Sequence, residues 1–91
     1  MKPRPPWAGK YDEPILELLE ASGVALPPAV VHFNLRWKNV ATPADSTVKR
    51  RLRKLAEHDY LEKVEQNAGY YAITQKGRDY LAGNLDADEL D

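Results

Sequence analysis

Apolar residues recur at helical spacing in the first half of the chain and alternate briefly in the second. Ile15, Leu18 and Leu19 stand at i, i+3 and i+4, which predicts a first helix with one apolar stripe. Asp12 is its expected N-cap, Glu13 and Pro14 suit its first turn, and Gly23 suits the position just past its end. Glu17 and Glu20 fall off the stripe. Pro28 then opens a short second helix running to Leu35. Arg36 to Ala41 reads as a connection from which Trp37 and Val40 close over the core. A third helix is expected over about 43–58. Thr42-Pro43-Ala44-Asp45 offers a capping hydroxyl, a first-turn proline and a carboxylate at N3. Val48, Leu52 and Leu55 form its apolar stripe, with Ala44 on the same line. Ser46, Arg50, Arg53 and Glu57 then lie on the opposite face, flanked by Thr47, Lys49 and Lys54. The helix is expected to stop near His58-Asp59, with Asp59 left-handed in place of glycine.

Leu61 to Val64 and Tyr70 to Ile73 predict two short strands, and 65–69 supplies the turn residues of a hairpin. One of Tyr70 and Tyr71 should face the core and the other solvent, since strand side chains alternate. Thr74 is the expected cap of a fourth helix ending at Gly83. Gly77 falls inside that helix, where it costs about 1 kcal/mol against alanine. Close packing against a neighbouring element is the expected reason. Three regions result: a Pro-rich arm over 1–11 carrying an exposed Trp7, a domain over 12–83, and an acidic tail over 84–91.

Charge changes this picture more than composition does. The formal net charge is −1, but its distribution is uneven. Residues 36–54 carry Arg36, Lys38, Lys49, Arg50, Arg51, Arg53 and Lys54 against Asp45 alone, a net +6. The segments on either side, 11–35 and 55–83, are acidic, and the tail carries −4. One basic stretch inside an acidic chain is an electrostatic footprint that the total conceals. A basic helical face is often only a solvated one, and Arg51 is the cation expected to pair with a carboxylate at the core edge. The hairpin, with Glu65, Gln66 and Asn67 near its tip and Lys63 as its one nearby cation, opposes contact with a phosphate backbone. Truncating 84–91 should tighten non-specific DNA binding, which a binding assay on random duplex would read; no change would remove that role for the tail.

The chain has no cysteine, which excludes disulfides, thiolate metal sites and a cysteine nucleophile. His32 and His58 have no partner at ligand spacing, so no metal or other cofactor is expected. Ser22 and Ser46 lack the context of a nucleophile, and no glycine-rich loop could cradle a phosphate; an enzyme is not expected. Prolines at 3, 5 and 6 interrupt any secretory signal, and no apolar run is long enough to span a bilayer. A soluble cytoplasmic protein is the expectation.

The order helix, short helix, basic helix, hairpin, helix resembles a winged helix-turn-helix domain. The residues that carry the resemblance are Val48 to Leu55 followed by Tyr60-Leu61, and then Tyr71-Ala72-Ile73-Thr74-Gln75-Lys76-Gly77-Arg78-Asp79-Tyr80-Leu81. With Trp7, the opening Asp12-Glu13-Pro14-Ile15-Leu16-Glu17 and the ending 85–90, the chain is most similar to small phage-repressor-type regulators of halophilic archaea. The fold class implied is α+β: a three-helix core, a two-stranded wing and a C-terminal helix. The implied partner is double-stranded DNA, read in the major groove by the third helix. Ser46, Thr47, Lys49 and Arg50 would lie nearest the bases, and Arg53 and Lys54 nearest phosphates. Arg36 and Lys38 would touch the backbone from the preceding connection. The expected role is a transcriptional regulator acting as a repressor, with a homodimer whose surface could come from the Trp7 arm, the first helix, or the fourth helix with the tail, among which the sequence does not choose. The alternative is a protein-interaction module that turns the basic helix to an acidic partner. RNA binding is a weaker reading, since no aromatic platform is evident.

Overall fold

The computed structural model describes residues 5–65 and 69–85. Residues 1–4 of the expected arm, residues 66–68 of the expected hairpin link and residues 86–91 of the expected tail lie outside the described residues, so the expectations placed there are not addressed by it. The elements run α1 (Asp12–Ser22), α2 (Pro28–Trp37), α3 (Asp45–Glu57), β1 (Leu61–Glu65), β2 (Tyr70–Ile73) and α4 (Gln75–Leu81). This is the α+β winged-helix arrangement that the order of elements implies.

The core forms where the apolar stripes converge. Ile15, Leu16 and Leu19 from α1 meet Val31 and Leu35 from α2 and Val48, Leu52 and Leu55 from α3. Tyr60, Leu61, Tyr71, Ile73 and Tyr80 close one end, and Leu85 joins them from beyond α4. Strands β1 and β2 pair antiparallel, Leu61 opposite Ile73, with a register shift between Lys63 and Glu65. Tyr71 is buried and Tyr70 exposed, as alternation requires. The free edge of β2 is met by Leu26, whose N–H donates to the Tyr71 carbonyl at 2.9 Å and whose carbonyl accepts from the Tyr71 N–H at 3.0 Å. The segment between α1 and α2, which reads as punctuation, thus adds a third backbone to the sheet.

Each helix stops on a left-handed residue. Gly23 (φ 68°) ends α1 with its N–H on the Leu19 carbonyl. Asp59 (φ 67°) follows α3, and the Tyr60 and Asp59 N–H groups return to Leu55 and Ala56. Asn39 (φ 55°) follows α2 in the same way, with the N–H groups of Val40 and Asn39 on Leu35 and Arg36. Both non-glycine positions hold the residue types that tolerate this conformation best. Gly83 (φ 76°) serves after α4.

Four local expectations need correction. Asp12 does not cap α1. Tyr11 holds the cap position without a side-chain bond, and Asp12 is buried with its carboxylate turned inward. Thr42 does not cap α3. The helix begins at Asp45, and Ala44 is extended before it (φ −68°, ψ 154°). Pro43 is buried, and its carbonyl is held by the His32 ring at 3.1 Å, which keeps that residue in the connection. Trp37 and Val40 do not close over the core; they are 71% and 55% exposed. The reason is that α2 continues to Trp37. Two residues past buried Leu35, at about 100° per residue, a helical side chain points to the opposite side. Finally, Trp7 is half-buried, not exposed. Its ring stacks on His58 with centroids 4.1 Å apart and lies 5.6 Å from Tyr60.

Candidate nucleic-acid interface

Helix α3 owes its orientation to three buried side chains and one ion pair. Val48, Leu52 and Leu55 fix which side faces inward. Arg51, at the edge of that stripe, reaches back to α1. Its Nε donates to Asp12 Oδ1 at 2.7 Å and its Nη2 to Asp12 Oδ2 at 2.6 Å, a bidentate pair with side-chain exposures of 16% and 5%. Nη2 also donates to the Trp7 carbonyl at 3.1 Å, and the Gly9 N–H donates to Asp12 Oδ2 at 2.9 Å. The hydrogen bonds to Asp12 hold the Arg51 guanidinium above its ordinary pKa, against the lowering effect of burial. Arg51 is therefore the basic residue of the third helix that the fold consumes internally, as the sequence anticipates. The sequence does not identify Asp12 as the acid, because its place before an apolar stripe reads as a cap.

The remaining cations of α3 sort by position around the helix. Ser46, Arg50, Arg53 and Glu57 face outward, opposite the core stripe, and all four are exposed. Among the described residues Arg50 and Arg53 have no ion-pair partner. Lys49 lies to one side in an exposed pair with Asp45 at 3.2 Å. Such a pair contributes under about 1 kcal/mol and leaves the lysine available to a stronger anion. Lys54 and Thr47 are half-buried on the side of Arg51, and Lys54 stands 4.0 Å from Glu57. No side chain caps the first turn of α3, so its leading N–H groups point outward beside Ser46 and Thr47.

The two cations ahead of α3 are not brought together. Arg36 follows His32 by one helical turn, on the side of α2 that meets Pro43 and the start of α3. Lys38 lies on the other side, in a groove with Pro14, Glu17, Leu18 and Ala21 of α1. Both are exposed. The N-terminus of α2 offers little to an anion, since the Val30 and Val31 N–H groups already donate to the Pro27 carbonyl. On the wing, β1 contributes Lys63 beside Glu62.

Two positioning residues are missed by sequence reasoning. His32 ties α2 to the approach of α3 through Pro43, and Asn39 turns the chain between them. The asparagine has a signal in its type, since Asn readily adopts the left-handed region. The histidine has none, because its partner is a backbone carbonyl eleven residues away.

Among the described residues no group of three or more His, Cys, Asp or Glu is placed to hold a metal ion, and no helix is long and apolar enough to cross a membrane. The sequence model of the family described as winged helix-turn-helix phage repressor matches residues 1–91. Among solved structures, the chain is similar to a PhiH1 repressor-like protein from Haloarcula marismortui. The two share 32% sequence identity and superpose with a TM-score of 0.80, covering 96% of this chain and 91% of that one. A search of curated proteins returns no match.

Proposed function

Since the chain belongs to the family of winged helix-turn-helix phage repressors, we propose that it is a sequence-specific, double-stranded DNA-binding regulator that acts as a repressor. The observation that carries this reading is the outward face of α3. Arg50 and Arg53 are exposed there without ion-pair partners, beside an uncapped helix N-terminus. An α-helix fits the B-DNA major groove, and residues near the start of a recognition helix approach base edges. Ser46, Thr47, Lys49 and Arg50 occupy that part, and Arg50 suits guanine O6 and N7. Arg53 and Lys54, a turn further on, suit phosphates, and Arg36 extends the same cationic side from α2. Lys38 is the weakest member of the set, because it stands across α2 beside Glu17. Repression follows by occupancy of an operator, with a homodimer matching a pseudo-palindromic site.

Selection of bound duplexes from a random pool, followed by salt titration, tests the reading. A specific binder returns a sequence motif, and log K falls with log salt at about −0.9 per phosphate neutralised. Arg50→Ala is expected to weaken operator binding by roughly 1–3 kcal/mol and to relax preference at one base pair. Arg53→Ala should weaken all duplexes alike and make the salt slope shallower by about 1. If both variants stay folded and bind as the parent does, α3 is not the recognition helix.

A further inference from the structure

The outer face of α2 carries an apolar stripe that neither the core nor the proposed DNA face uses. Val30, Phe33 and Trp37 stand at i, i+3 and i+7, within about 60° of one another around the helix. They are 38%, 58% and 71% exposed, and exposed Val40 follows just past the helix end. The Phe33 and Trp37 rings lie nearly parallel with centroids 6.4 Å apart. Four of the seven large hydrophobic residues exposed among the described residues thus fall on one eleven-residue segment. Single exposed apolar residues are ordinary, but a contiguous patch marks an interaction surface.

The borders of the stripe indicate what covers it. It lies on the outer side of α2, between the His32–Arg36 side that faces the start of α3 and the side that borders α1, and Val40 at its end lines the groove against α1. On the α1 side runs a groove of about 170 Å³ between α1 and α2, lined by Leu18, Ala21, Leu35 and Val40. This groove carries both signs of charge, Glu17 from α1 and Lys38 just past the end of α2. Both are exposed, and among the described residues neither makes an ion pair. A surface that holds an apolar ridge, an adjoining groove and one unpaired charge of each sign is complementary to itself under two-fold rotation. A nucleic acid would be repelled by Glu17, whereas a second copy satisfies both charges.

We propose that this face seats a second copy of the chain. Trp37 of each copy packs beside the α1–α2 groove of the other, and Lys38 of each faces Glu17 of the partner subunit. Phe33 and Trp37 offer roughly 300 Å² of aromatic surface per copy. With Val30, Val40 and a polar rim, a symmetric contact buries about 1,000 Å² in total, the size of a specific but weak interface. The surface stands whether or not α3 reads DNA.

Sedimentation equilibrium on the full chain tests this directly. The parent is expected to self-associate with a dissociation constant on the order of micromolar. Trp37→Asp and Phe33→Asp, both at exposed positions and checked for fold by circular dichroism, should each weaken dimerisation at least about tenfold. Lys38→Glu and Glu17→Lys should each weaken it alone, yet an equimolar mixture of the two should dimerise again. Only a contact between copies explains rescue in a mixture. A parent that stays monomeric at high concentration overturns the proposal, as does a dimer indifferent to Trp37→Asp. A mixture no better than its components overturns it too. Stripe variants that leave a monomer unchanged but lose duplex affinity would assign the face to DNA instead. The DNA reading is scored separately, by Arg50→Ala on duplex binding.

Discussion

Gly77→Ala is expected to lower the thermal midpoint by roughly 10 °C, even though alanine is the better helix former. Two effects oppose each other at this site. Propensity alone favours alanine by about 1 kcal/mol in a helix interior. Against that, a Cβ at Gly77 would run into the Tyr60 carbonyl oxygen and stand 2.7 Å from Ile73 Cγ1. The carbonyl cannot step aside cheaply. It accepts the Thr74 N–H at 3.1 Å, and the Tyr60 N–H is itself fixed on Leu55 at the end of α3. Helix α4 would have to move away, yet its first turn is held by the Thr74 hydroxyl accepting from the Gly77 N–H. Overpacking against backbone of this kind costs roughly 3 kcal/mol, so the steric term wins by about 2 kcal/mol. Thermal unfolding followed by circular dichroism reads the result. A midpoint that rises by a few degrees would mean that propensity decides, and that α4 does not rest on the Tyr60 turn.

Breaking the Asp12–Arg51 pair should have an effect at least as large. Asp12→Ala leaves a half-buried guanidinium with the Trp7 carbonyl as its remaining acceptor, which costs about 3 kcal/mol. Arg51→Met instead strands the buried carboxylate, at a similar cost. Replacing both, Asp12→Leu with Arg51→Met, should recover most of the loss, because desolvating the pair offsets much of its attraction. Urea denaturation of the three variants checks this: a double variant no more stable than the singles would mean that the pair is strongly net-stabilising. The pH dependence has a definite sign. A basic group whose pKa is raised on folding contributes stability below its unfolded pKa and loses it only as pH rises through the folded value. Arg51 is raised from an already alkaline value. Its contribution should therefore stay flat across neutral pH and fade only under strongly alkaline conditions. The structural consequence is that the orientation of α3 against α1 is held in part by this pair, from a side chain turned away from the outward face of Arg50 and Arg53.

Much of this architecture is legible along the chain. The stripe of Val48, Leu52 and Leu55 decides which side of α3 is outward, so the exposure of Ser46, Arg50 and Arg53 follows from spacing alone. Asp59 as a left-handed stop, Thr74 as a cap and the division of Tyr70 from Tyr71 follow equally from local chemistry. These features depend on neighbours within one or two turns, and such information is written in spacing and residue type. What fails are the positions where a local rule competes with a distant partner. Asp12 is a suitable cap by type, but an arginine 39 residues away takes its carboxylate. Thr42 and Pro43 form a good helix start, but His32 holds the Pro43 carbonyl outside the helix. Trp7 is expected to be exposed near the N-terminus, but His58 and Tyr60 supply a surface for its ring.

The sequence by itself therefore determined the order of elements, the outward cationic face of α3 and the single basic block between acidic segments. Those depend on periodicity and charge, which need no third dimension. Only the tertiary structure decided how that block divides. Arg51 is drawn inward to Asp12, Arg36 stands on the α3 side of α2, and Lys38 faces Glu17 across a groove. Only the structure, too, turned Trp37 and Val40 from core candidates into exposed residues, because α2 runs two residues past Leu35 and carries Trp37 to the outer side. Charges and rings take their meaning from what lies opposite them, and that is settled by packing between elements far apart in the chain.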